Sequence, residues 1–88
     1  MQKRLRRIRM MKEARHDITK LYREHRQSVI CFDYENQTAR LLCEGKDEGI
    51  LIFGNLFEAL KKLAYGAKSC AVDKVFTRMQ ASIANTNN

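Results

Sequence analysis

From Gln2 to Arg26 the chain carries neither glycine nor proline, and Arg, Lys, Leu, Met and Glu dominate the stretch. All five are good helix formers, so a long N-terminal helix is the first constraint on the fold. At about 100° per residue, Ile8, Met11, Ala14, Ile18, Leu21, Tyr22 and His25 gather into one apolar stripe. Lys12, Arg15, His16, Lys20, Arg23 and Arg26 take the adjoining face, and Glu13, Asp17 and Glu24 share the narrow strip left over. The stripe fails in the first turns, where Arg4 and Arg7 fall on its continuation and Leu5 falls outside it. Packing is therefore expected to begin at Ile8. Residues 1–7 read as a basic N-terminal arm, 8–84 as a single α+β domain and 85–88 as a disordered polar tail.

The segments after this helix read as strands and then helices. Ser28–Tyr34 and Thr38–Glu44 are rich in β-branched and aromatic residues and form an expected hairpin around Glu35-Asn36-Gln37. With Asn36-Gln37 as a two-residue loop, Asp33 would face Arg40, Phe32 would face Leu41 and Ile30 would face Cys43. That register puts Ile30, Phe32, Tyr34, Leu41 and Cys43 on one side of the sheet and Val29, Cys31 and Leu42 on the other. Gly45–Gly49 reads as a turn before a short strand, Ile50–Phe53, whose unbroken apolar run predicts cover on both faces. Asn55 with Glu58 matches a helix N-cap and its capping-box partner. Leu56, Leu60 and Leu63 give that helix an inward face, and a last helix from Ser69 presents Val72, Val75, Phe76, Met79 and Ile83. The expected fold is α+β: a long N-terminal helix, a three-stranded antiparallel sheet and two C-terminal helices, in the order α-β-β-β-α-α.

The candidate core comprises Ile8, Met11, Ile18, Leu21, Ile30, Phe32, Leu41, Ile50, Ile52, Phe53, Leu56, Leu60, Leu63, Val75, Phe76 and Met79. A chain of 88 residues holds one such core and buries only about 60–65% of its unfolded surface. The open edges of a small sheet and the second hairpin face then favour association, and a two-fold homodimer is expected.

Chemistry narrows the function classes. His16 and His25 both fall on the basic helix, and Cys31, Cys43 and Cys70 are scattered without a C-x-x-C pair. No nucleophile and base stand at a productive spacing, no paired ligands suggest zinc, and no glycine-rich loop follows a strand. The cysteines read as buried, reduced thiols, and the acidic pairs Asp33/Glu35 and Asp47/Glu48 as solvated turn carboxylates. An enzyme, a metal and a cofactor are not expected. Neither a secretory leader nor an apolar run long enough to span a bilayer is visible, which places the chain in a cytoplasm and off the membrane.

Charge carries the positive signal. Residues 1–26 hold ten Lys/Arg against three Asp/Glu, a balance of +7, while residues 27–88 hold seven of each. Cations segregated from acids on one helix face and continued into an Arg-rich arm suit a polyanion, since a solubility face mixes both signs. The expected nucleic-acid-binding residues are Lys3, Arg4, Arg6, Arg7 and Arg9 on the arm, with Lys12, Arg15, Lys20, Arg23 and Arg26 on the helix. Tyr22 is the lone aromatic among them and lies on the apolar stripe, so stacking on single strands is disfavoured and duplex DNA is the favoured partner. An acidic protein surface, docked by an inhibitor or adaptor module, is the alternative. A helix-turn-helix around Gly66, with Lys74, Thr77, Arg78 and Gln80 as readers, is a lesser possibility.

Overall fold

A computed structural model of the chain describes the backbone of residues 2–86 and the side chains of residues 13–84. Its elements are α1 (Gln2–His25), β1 (Val29–Asp33), β2 (Thr38–Cys43), β3 (Lys46–Ile52), α2 (Gly54–Ala64), β4 (Ser69–Ala71) and α3 (Val72–Thr86). The fold is α+β, with three helices and an antiparallel sheet of four strands in the order β3-β2-β1-β4. The expected order thus lacked one strand. Ser69–Ala71 pairs antiparallel with β1, Val29 opposite Ala71 and Cys31 opposite Ser69, and α3 begins only at Val72. Three small residues carry little strand propensity of their own. The unpaired edge of β1 supplies the reason, since its backbone groups need partners. A strand between α2 and α3 also removes the short helix-turn-helix connection.

The β1–β2 hairpin is shifted by two positions from the expected register: Ile30 faces Leu41, Phe32 faces Ala39 and Asp33 faces Thr38. Its loop is four residues long because the Asp33 carboxylate accepts hydrogen bonds from the Asn36 backbone N–H at 3.1 Å and side-chain amide at 2.8 Å. These bonds hold the Asp33 carboxyl below the usual carboxylate range. A shift of two keeps every side chain on its expected face. The Asp33–Arg40 pair does not form; Arg40 reaches Asp47 instead, at 3.4 Å.

The next turn is tighter than expected. Glu44 (φ 52°) and Gly45 (φ 79°) both lie in the left-handed region, the pattern of a two-residue turn matched to strand twist. β3 therefore starts at Lys46 and includes the charged residues first assigned to a loop. Its pairing with β2 jumps between Arg40 and Leu42, and the Asp47 carboxylate accepts from Gly49 N–H at 2.7 Å inside that irregularity. Charges and a bulge on an outer strand are common devices against edge-to-edge pairing.

One core holds the layers together. Ile18 and Leu21 of α1, Ile30, Ala39, Leu41 and Ile52 of the sheet, Phe57 and Leu60 of α2, and Val72, Val75 and Met79 of α3 form a single buried cluster. All three helices thus pack on the same face of the sheet, and among the described residues the expected cover on both faces of β3 is not found. Leu51 is 48% exposed and Phe53 is 67% exposed, so Phe53 is not a core residue. Phe57, outside the expected inward face, is 1% exposed and central. Ile50, Leu56, Leu63, Phe32 and Phe76 pack around the cluster half-buried. The side chains of Ile8 and Met11 lie outside the described residues. α2 is capped at Phe53 without a side-chain hydrogen bond, and Glu58 pairs with Lys61 at 3.0 Å rather than closing a box with Asn55. α3 continues through Thr86, and residues 87–88 of the expected tail lie outside the described residues.

Candidate nucleic-acid interface

Burial along α1 follows the helical wheel. Ala14, Ile18 and Leu21 are buried, while His16, Lys20, Arg23 and Arg26 are exposed. Glu13, Asp17 and Glu24 are exposed on the other flank. Among the described residues, none of Arg15, Lys20, Arg23 and Arg26 makes an ion pair, even though acids stand one turn away on the same helix. The side chains of Lys3, Arg4, Arg6, Arg7, Arg9 and Lys12 lie outside the described residues.

Arg15 differs from the other three. It is half-buried at the rim of a groove of about 600 Å³ between the helices, floored by Ala14, Ile18, Ala59, Leu63, Met79 and Ile83. Lys62 of α2 shares that rim with Glu58, Asn55 and Ser82. Sequence reasoning confined to α1 missed Lys62, although a Lys61-Lys62 pair in the last turn of α2 is the kind of signal that marks an exposed cation.

α1 and α3 run antiparallel. Tyr22 stacks on Phe76 with ring centroids 4.1 Å apart, and Ala14 and Ile18 line the groove with Met79 and Ile83. At 24 residues against 15, α1 is nine residues longer than α3, roughly 13 Å. The residues read as an arm have helical backbone from Gln2 onward.

The C-terminal end of α1 is tied down by a group that looked solvated in the sequence. Glu48 accepts from the buried Ser28 hydroxyl at 2.9 Å, and its carboxylate lies 3.2 Å from His25 Nδ1. This cluster fixes the direction in which α1 leaves the sheet. Replacing Glu48 with alanine strands the Ser28 hydroxyl and is expected to cost about 1–3 kcal/mol in denaturant unfolding. In a Ser28→Ala background the same change should cost clearly less, because the stranded donor is gone.

Cys31, Cys43 and Cys70 are free thiols and are half-buried rather than buried. Among the described residues no group of three or more His, Cys, Asp or Glu is placed to hold a metal ion. Among the same residues no helix is long and apolar enough to cross a membrane. Comparison with protein-family models, curated proteins and solved structures finds no match to this chain.

Proposed function

We propose that this is a small, basic, non-enzymatic regulatory or accessory protein that binds nucleic acid, with duplex DNA as its favoured form. It acts through the cationic face of α1 and the basic residues of that helix's N-terminal part, in a cytoplasm and without a cofactor. The observation that carries this reading is the set Arg15, Lys20 and Arg23 on α1 with Arg26 just past its end, none of them ion-paired among the described residues, while the opposite face of the helix is committed to the core. Unneutralised cations in a row gain by displacing the counterions condensed on a phosphate backbone. Lys3, Arg4, Arg6, Arg7, Arg9 and Lys12 would extend the contact along the projecting part of α1. The Tyr22 ring supports a duplex over a single strand, because its stacking on Phe76 withholds it from bases.

An acidic protein surface is the second reading, favoured by the same cations. Arginine-to-lysine exchange separates the two. Lysine serves phosphate as a point charge, so the combined Arg15→Lys and Arg23→Lys variant should lose less than about threefold in affinity for a labelled duplex. A protein interface anchored by bidentate arginine would lose about tenfold or more on the same change. Fluorescence anisotropy with duplex and single strand of one sequence gives both the ranking and the exchange effect. Absence of duplex binding at low salt would refute the proposal.

A further inference from the structure

Among the described residues no helix packs on the sheet's second face. Strand pairing places Val29 between Leu42 and Ala71, and Arg40 between Cys31 and Leu51. Alternation turns these side chains away from the face that holds Ile30 and Leu41. Phe53, in extended backbone two residues past Leu51, continues the same side. Val29, Leu51 and Phe53 are 36%, 48% and 67% exposed. Apolar side chains left exposed around the Arg40–Asp47 pair mark an interaction surface.

We propose that this face pairs with the same face of a second copy of the chain, forming a two-fold dimer in which two sheets stack between outer layers of helices. The proposal is independent of the nucleic-acid reading. Charge selects the occupant. The face carries Arg40 and Asp47 side by side at 3.4 Å, both about half exposed. Such a patch is its own complement under a two-fold axis, with Arg40 of one copy reaching Asp47 of the other. A polyanion or an acidic partner finds no excess of positive charge here, since the unpaired cations of α1 lie across the core. Area agrees: strands about 4.8 Å apart and five to seven residues long give a patch about 15–20 Å on a side. Two such patches cover about 450–800 Å² in projection, the range of weak contacts. The dimer is therefore weak, with association in the micromolar range. It leaves both α1 faces free on opposite outer surfaces.

Light scattering on the full chain, free of nucleic acid, from low to hundreds of micromolar tests this. The mass should climb from 10.3 kDa towards twice that value. Leu51→Glu and Phe53→Glu alter exposed side chains, so each should keep its circular dichroism spectrum and remain at 10.3 kDa throughout. Cys31 gives a readout on the unaltered protein, because Cys70 lies on the core side of the sheet. Its alkylation should slow several-fold as concentration rises, while that of Cys70 should not. A mass fixed at the monomer value, a dimer that both glutamate variants leave intact, or Cys31 labelling independent of concentration would overturn the proposal.

Discussion

Truncating Phe57 to alanine is expected to destabilise the fold by about 3–5 kcal/mol, the range for removing a fully enclosed aromatic ring. Phe57 is 1% exposed and belongs to the cluster that joins all three helices to the sheet. Its ring lies 6.2 Å from that of Phe32 and 6.4 Å from that of Tyr34, with Lys61 Nζ 5.6 Å from its centroid. The cavity would thus open where α2 meets the end of the first hairpin, between elements that cannot close up independently. A domain of this length has a total stability of about 4–13 kcal/mol, so the variant should lie near its unfolding threshold. Urea denaturation should show a large fall in midpoint at nearly constant slope. A loss below about 1 kcal/mol would mean that Phe57 does not centre the core. Truncating Leu51 on the open face provides the contrast, with an expected change within about 0.5 kcal/mol for the monomer.

Patterns with strong periodicity were legible in the sequence. The α1 wheel placed Ile18 and Leu21 inward and Lys20, Arg23 and Arg26 outward, because burial of one stripe decides a helix's orientation. The hairpin faces were legible for the same reason, even though the register was not. Register depended on whether the chain turned in two residues or four, and that was decided by Asp33 bonding Asn36, a local choice between near-equal turns. β4 was invisible because its strand character comes from β1 and not from Ser69-Cys70-Ala71. The run Ile50–Phe53 misled in an instructive way. An unbroken apolar strand fits burial on both sides, and it fits equally a strand with one face in the core and an apolar face left open.

The candidate site divides along similar lines. Exposure of the α1 cations followed from angle alone. The groove beside Arg15 and the contribution of Lys62 depend on how α2 and α3 meet α1, and no single helix encodes that. Glu48 was read as a turn carboxylate because it neighbours Asp47 and Gly49. Its position opposite His25 and Ser28 is set by the tight Glu44-Gly45 turn, which draws residues 46–49 into the sheet.

Removing Arg15, Lys20 and Arg23 of α1 together with Arg26 just past its end should have the largest effect on binding. If each of Arg15, Lys20, Arg23 and Arg26 meets one phosphate, replacing all four with alanine should weaken duplex binding about 1,000-fold near physiological salt. The fold should survive, since none of these side chains is buried and none makes an ion pair among the described residues. Unchanged thermal unfolding beside lost affinity separates this outcome from simple destabilisation. An affinity within about threefold of the unaltered chain would move the contact away from this face.

The salt dependence of duplex binding is the most direct measurement of the central claim. Neutralising about five to seven phosphates predicts that log K falls against log[salt] with a slope of about −4 to −6, and that the four-alanine variant loses roughly three to four units of that slope. An affinity for the duplex that stays flat from low to high salt would contradict a phosphate-binding role for α1.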